Sequence, residues 1–531
     1  MSRKKLRAMS SSMLVALLLT GCHVGPKYQR PALPQAQAPA TTYKEAPAPA
    51  AKDTASGNAN GKAASTQTTV AQASSAQTVG AGEWKVADPQ DAMLHGKWWE
   101  IYKDDELNAL EEKLAIDNQT IKQYFENFLE ARAIVGEARS QLYPTVTLGP
   151  SFARSQASAN SGGSGGSKLP SNLTTLPFNA SWEPDLWGRI HNQIHEAQYN
   201  AQVSAADLEG ERLTEQASLA TYFFEIRGQD ALIDVYKQTV ADDEKSLELM
   251  RSQYETGVGT EIAVVESQNT LQNAQAALTN LGVARAQYEH AIAVLTGSNP
   301  SMFSIPVRAL DAVPPTIPIG VPSQLLERRP DIAASERTMA SANAAIGVAY
   351  TAFFPTVTLS AEAGLASSTL SHLFDWPSRI WSLGGGFSET VYEGGLQRAT
   401  AVQYAAIYNA DLASYRQTVL AAFQQVEDAL ASERILTTQI GQQEQAAATA
   451  QKVVELETAR YETGIDPYID VVTAQATLLA DRQTLATLHT QAMTASVQLI
   501  EALGGGWDSS QLPTPDEMTK KVTAAEAAIQ K

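Results

Sequence analysis

The chain has 531 residues, with 39 Lys and Arg against 57 Asp and Glu, for a formal charge of -18 at pH 7. That balance argues against nucleic acid as a partner, because phosphate binding needs a basic face. A single cysteine, Cys22, excludes any internal disulfide.

Residues 1–21 read as an export signal. Arg3, Lys4, Lys5 and Arg7 form a basic start, and Met13 to Leu19 an apolar stretch too short to span a bilayer. Leu19-Thr20-Gly21-Cys22 then reads as a lipobox, so Cys22 is the expected acylated first residue of the mature chain. One lipid chain is a weak tether, and stable anchoring takes a second membrane element. Residues 22–82 are the expected anchor and flexible tether. From residue 31 on, they are rich in Ala, Pro, Gln, Ser, Thr and Gly, a composition that cannot bury enough surface to order itself. Order is expected from near Trp84 and is clear by Trp98-Trp99.

The chain then repeats itself. Tyr254-Glu255-Thr256-Gly257 recurs as Tyr461-Glu462-Thr463-Gly464, 207 residues later. Tyr143-Pro144-Thr145-Val146-Thr147-Leu148 recurs as Phe354-Pro355-Thr356-Val357-Thr358-Leu359, 211 residues later. Two blocks at nearly one offset mean a duplicated half. Within the first half, residues 83–142 are expected to be helical and 143–187 a β-hairpin. Leu176 to Trp182 forms its return strand and Ser161 to Gly166 its loop. A long helical hairpin follows over 188–299. Leu219, Ile226, Ile233, Val240, Leu247 and Tyr254 stand seven apart there, a coiled-coil seam. One helix over 188–256 reaches ~100 Å at 1.5 Å per residue. Gly257 ends it as a C-terminal cap, and the chain returns along 261–296.

Residues 300–330 are a linker and 331–352 a helix. Pro330 and Asp331 start that helix, with proline in its first turn and an acid at its positive end. The second β-hairpin spans 353–392. Thr356 to Leu365 alternates polar and apolar residues, its partner runs from Trp381 to Phe387, and the turn lies around Asp375-Trp376-Pro377. The second helical hairpin covers 393–505, with Gly464 at its tip, and a tail covers 506–531. The strands have the length of tilted transmembrane strands, with aromatics near their ends. Four strands cannot close a barrel, so several chains must share one if they enter lipid.

Asp466 and Asp470 follow the second tip, and Glu261 stands near the first. In a duct shared by several copies of the chain, such carboxylates form rings that line a pore. Acids at a helix start also simply favour the dipole. His191 and His195 share a helix face without a third ligand, so no metal site is read there. Neither a nucleophile elbow nor a phosphate loop is present, and no catalytic residue or cofactor is assigned.

The chain resembles the TolC-like outer-membrane factor family, in its lipoprotein branch serving RND-type pumps. The resemblance rests on Gly21-Cys22-His23-Val24-Gly25-Pro26-Lys27-Tyr28, Trp98-Trp99 and Trp182-Glu183-Pro184-Asp185-Leu186-Trp187-Gly188-Arg189. It continues in Leu325-Leu326-Glu327-Arg328-Arg329-Pro330-Asp331-Ile332 and Ala342-Asn343-Ala344-Ala345-Ile346-Gly347. It runs from residue 22 to about 506, apart from the 31–82 insertion and the loop at 161–167. It implies a mainly α fold with a membrane β-barrel. As a homotrimer, the chain forms a twelve-stranded barrel among outer-membrane lipids above a periplasmic α-barrel. A periplasmic adaptor docks at the tips, around Gly257, Gly464, Tyr254 and Tyr461, and an inner-membrane RND-type pump feeds the duct. A family gate acid matches Asp470, whereas a second matches Thr473. The alternative from the residues alone is a periplasmic coiled-coil scaffold lipoprotein without a pore.

Overall fold

A computed structural model describes residues 25–31, 43–45, 96–156, 170–310, 313–317 and 325–518. The signal segment, Cys22, Trp84, the Gly/Ser loop and residues 519–531 lie outside the described residues. A 3-10 turn, Trp98–Tyr102, leads into α1 (Asp105–Asp117) and α2 (Gln119–Ser140). The Asp104 side chain accepts from the first backbone N–H groups of α1, and Asn118 does the same for α2. Strands β1 (Thr145–Leu148), β2 (Ser151–Ser155) and β3 (Ser171–Trp182) precede α3 (Arg189–Glu255) and α4 (Glu261–Leu295). The second half runs α5 (Pro330–Thr351), β4 (Thr356–Ser367), β5 (Arg379–Ser388), α6 (Leu396–Glu462) and α7 (Tyr468–Ala502).

The duplication shows in equal lengths. Helices α3 and α6 have 67 residues each, and α4 and α7 have 35 each. At 1.5 Å per residue the long helices reach roughly 100 Å. Each ends in the same cap. Gly257 and Gly464 have φ of 77° and 76°, a left-handed conformation that costs glycine little. The N–H of Val258 then reaches the Gln253 carbonyl, and that of Ile465 reaches the Arg460 carbonyl.

The seven-residue seam is buried at Leu219, Ile226 and Leu247, half-buried at Ile233 and Val240, and open at Tyr254. The main core lies midway along the long helices. Trp98, Leu107 and Leu114 pack there on Phe223 and Phe224 of α3, Ile292 of α4, Val426 of α6 and Val497 of α7. Trp98 Nε1 donates to Gln216 at 3.3 Å, and the Tyr102 hydroxyl pairs with Ser496 at 2.9 Å. An ionic cluster fastens the linker beside this core. Asp230 takes Arg227, Arg285 Nε at 2.7 Å and the backbone N–H of Arg308 at 2.9 Å. The expected helix start at Pro330 is present. Arg329 bridges Asp331 and the Ala502 carbonyl, so it joins the start of α5 to the end of α7.

Both chain ends lie along these helices. Residues 43–45 fall within the stretch expected to be tether, yet Tyr43 is buried in the main core, and Glu427 accepts from the N–H groups of Lys44 and Glu45. One aromatic anchor and one carboxylate supply there what the surrounding Ala/Pro/Ser composition does not. At the other end, Trp507 packs on Ala206, Gln202 donates to the Pro513 carbonyl and Gln198 to that of Pro515. The tail therefore climbs α3 toward the sheet, and Met518 packs with Ile190 and Ile194.

Glu111 of α1 is fully buried and neither carboxylate oxygen has a hydrogen-bond partner. Burial pushes its carboxyl well above the usual range. Such a group weakens the fold progressively as pH rises above its unfolded value. Glu111→Met fills a similar volume without polar atoms. The variant is expected to melt higher than wild type, by the equivalent of about 1–3 kcal/mol, and by more at pH 8 than at pH 5. A lower melting temperature at both values would contradict this account.

Candidate functional site

The five strands form one antiparallel sheet in the order β1-β3-β4-β5, with β2 also on β3. β1 and β2 act as one strand. Thr145 faces Ser181 and Ser151 faces Thr175, which is an unbroken register across Gly149-Pro150. Pro150 has no N–H to give to the ladder, so pairing lapses there and resumes. The register also settles the glycine run, because Ser360 faces Gly384 and Thr358 faces Gly386.

With the register known, the two faces separate over the part of the sheet nearest the helices, while toward the loops Arg154, Asn172, Thr174 and Arg379 share the apolar side and Leu173 and Ile380 the polar side. One carries Val146, Leu148, Phe178, Ala180, Val357, Leu359, Ala361, Trp381, Leu383 and Phe387. The other carries Thr145, Thr147, Asn179, Ser181, Thr358, Ser360, Glu362 and Ser382. The apolar face is bare in a single chain: Trp381 and Leu383 are each 77% exposed. β1/β2 and β5 are the outer strands, and among the described residues neither has a partner on its far side. No helix among the described residues is long and apolar enough to cross a membrane.

A compact joint holds this sheet to the helices. Trp187 stacks on Phe354 at 5.0 Å and donates to the Pro355 carbonyl at 2.7 Å. Trp182 donates to the Leu142 carbonyl at 3.0 Å. Asp185 accepts from the N–H groups of Ile190 and His191, capping the start of α3. His191 also pairs with Asp185 through its ring, whereas His195 meets Gln198. The two histidines therefore serve different neighbours.

The N-terminal segment docks beside the same joint. Gly25 packs on Gly347, and a Cβ on either would meet atoms at 2.7 to 2.8 Å. Asn343 donates to the Pro26 carbonyl at 3.0 Å, and the Tyr28 hydroxyl donates to Glu336 at 3.2 Å. Two motifs more than 300 residues apart thus fit each other. Asn192, in the first turn of α3, closes the far side of Gly347.

At the opposite end the two tips differ. Tyr461 is half-buried, and its hydroxyl reaches Gln253 and Met250 of α3 while its ring lies 5.4 Å from Tyr468. These residues form a knot with Val471 that joins the two hairpins. Tyr254, the repeat partner of Tyr461, is 48% exposed. Glu261 is exposed on the first tip, where the second has buried Tyr468. Among the described residues, one acidic group has metal-like spacing. Glu457, Asp466 and Asp470 bring carboxylate oxygens within 4.8 Å of one another. Their repeat partners are Met250, Gly259 and Ala263, so this three-carboxylate group is confined to the second tip. Arg460 grips Asp466, with one contact at 3.0 Å, and this hydrogen bonding draws the Asp466 carboxyl below its usual range. Asp470 is exposed and lines a recess with Glu457, Thr473 and Thr477. The Thr473 hydroxyl is turned back to the Ile469 carbonyl at 2.8 Å. Glu457 and Arg460 were missed in the sequence, because their role depends on the chain turning back at Gly464.

Tyr461→Phe keeps the ring and removes the hydroxyl contacts. It is expected to weaken the tip knot by about 0.5–1.5 kcal/mol. The readout is faster hydrogen exchange over 248–256 and 458–466, with Tyr254→Phe leaving both segments near wild type. Equal effects from the two variants would remove the distinction between the tips.

A family model described as "Outer membrane efflux protein" matches residues 112–298 and again 321–505, one match in each half. The toluene efflux pump outer membrane protein TtgF of Pseudomonas putida is 28% identical over 499 residues, covering 94% of this chain and 97% of that protein. The cation efflux system protein CusC of Escherichia coli is 26% identical over 500 residues, covering 93% and 97%. Among solved structures, the outer-membrane channel OprN superposes with a TM-score of 0.77 at 24% identity, over 92% of this chain and all of that one. The open state of the Neisseria gonorrhoeae MtrE channel gives 0.74 at 21% identity, over 92% and 99%. These two share the fold: long paired helices beneath an antiparallel sheet. The chain belongs to the outer membrane efflux protein family, and it is an outer-membrane channel of an efflux pump rather than an enzyme.

Proposed function

We propose that three copies of this chain close a twelve-stranded barrel in the outer membrane and continue below it as a helical duct. The observation that carries this reading is the sheet, apolar on one face, polar on the other and open at both edges. Lipid offers no hydrogen-bond partner to an open edge, so β5 of one copy pairs with β1/β2 of the next. The apolar face then meets lipid and the polar face lines the lumen. The duct is passive. An inner-membrane RND-type transporter supplies the energy and a periplasmic adaptor engages the tips around Gly257, Gly464, Tyr254 and Tyr461. The cargo is drugs or other small toxic compounds.

In this reading Asp470 narrows the lower end. It is the exposed member of the acidic group, and three copies give a ring of like charges. Asp466 is held by Arg460 and serves the turn, while Glu261 stands apart from the group. Acylation at Cys22 fits the position of Gly25. Three residues span at most about 10 Å, and Gly25 packs against the first turn of α3, just below the sheet. The lipid chain is then within reach of the membrane that the strands enter.

In a planar bilayer, purified protein is expected to give discrete openings, and Asp470→Ala larger ones with weaker cation preference. Unchanged currents in the variant would take Asp470 out of the constriction. A protein that stays silent and has a monomeric mass in detergent would sink the shared barrel itself. Mass spectrometry of the mature N-terminal peptide is expected to find Cys22 acylated. An unmodified Cys22 would leave anchoring to the barrel alone.

A further inference from the structure

The two helical hairpins of one chain meet along α3 and α7, and a cavity of about 350 Å3 interrupts that contact well above the tips. α3 lines it with Asp242, Asp243 and Lys245, α6 with Gln451, and α7 with Gln475 and Arg482. Asp243 is 5% exposed and its Oδ2 has no hydrogen-bond partner. The nearby charges are directed elsewhere. Lys245 pairs with Asp242 at 3.1 Å, and Arg482 donates to Gln451 at 2.7 Å, which in turn donates to Glu455 at 3.2 Å. α4, which also packs on α3, contributes no residue to the lining.

Helix packing does not require an acid at this position. The repeat partner of Asp243 is Ala450, which is buried at the matching place on α6. A carboxyl where the sister helix has a methyl group is tolerated while it is neutral. When ionised it leaves Oδ2 buried without a donor in this seat. The seat is therefore less stable with the carboxyl ionised than with it protonated.

We propose that Asp243 is a proton-operated latch between the hairpins: protonated, it lets α3 seat against α7, and ionised, it loosens that seat. Burial, with Asp242 beside it, raises the carboxyl from 3.8 to about 6. The sign follows from linkage. The closed seat binds the proton more tightly than an opened one, so closure is strongest near pH 4, weakens as pH rises toward 6 and levels off above it. A passive duct under a pump gains from this a hairpin contact that responds to periplasmic acidity.

Hydrogen exchange on the purified full-length protein tests the latch, using protection factors corrected for the intrinsic pH dependence of exchange. Peptides covering 236–250 and 474–486 are followed from pH 4.5 to 7.5. Wild type is expected to lose protection on the order of 10-fold across that range in these peptides, with peptides from 335–350 unchanged. Asp243→Asn and Asp243→Ala are expected to keep the low-pH protection throughout. Flat protection in wild type overturns the latch, and so does an equal loss in both variants. The experiment reads packing rather than transport, so a silent bilayer would count against the duct and leave this result standing.

Discussion

A backbone N–H or C=O in lipid must find its partner within protein. The rest of this architecture answers to that requirement. A single chain builds β1/β2, β3, β4 and β5 into a sheet whose outer strands offer unpaired groups on both sides. It also builds a face of Val, Leu, Phe and Trp that nothing among the described residues covers. Neither feature is stable in water, and together they are stable in lipid only when the edges meet. The helices below, by contrast, bury a core of their own around Trp98, Phe223 and Phe224.

The joint between sheet and helices has to connect these two unlike parts. Its residues come from distant places in the chain: Trp187 and Phe354 stack, Asp185 caps α3, and Gly25 lies on Gly347. The N-terminal segment descends from there to Tyr43 in the main core, while the C-terminal segment climbs from Trp507 to Met518. Two straps running in opposite directions hold the same helices. The first uses a side chain with an apolar body and a polar handle, as Tyr28 does with Glu336, and the second uses buried Trp507 and Met518 with backbone carbonyls that accept from Gln202 and Gln198.

Much of this is legible in the sequence because its causes are local and periodic. Seven-residue spacing marked the seam from Leu219 to Leu247, alternation marked β4, and Gly257 and Gly464 marked the tips to within a residue. Contacts between distant residues were not legible. Asp230 gathers Arg227, Arg285 and Arg308, and nothing along the chain announces that meeting. Tyr43 is a single aromatic in a low-complexity stretch, and its anchoring depends on a surface formed by residues several hundred positions later. Family resemblance supplied the motifs around Gly25 and Gly347, but only the fold explains them, through a backbone approach that excludes a Cβ.

The duplication supplies its own control, because each half shows what packing alone requires. Many seam and cap positions keep their character between the halves: Leu219 corresponds to Val426, Leu247 to Val454, and both tips end in Tyr-Glu-Thr-Gly, although Ile226 corresponds to Glu433. Some charge differences serve packing, as Asp230 and Arg285 do opposite Thr437 and Ala492, but others do not. Glu457, Asp466 and Asp470 stand opposite Met250, Gly259 and Ala263, and Asp243 stands opposite Ala450. The sister positions show that a helical hairpin of this length folds without these acids. An acid at such a site either costs stability or needs a partner, as Arg460 is for Asp466. These departures lie at the lower tip and along the contact between the hairpins.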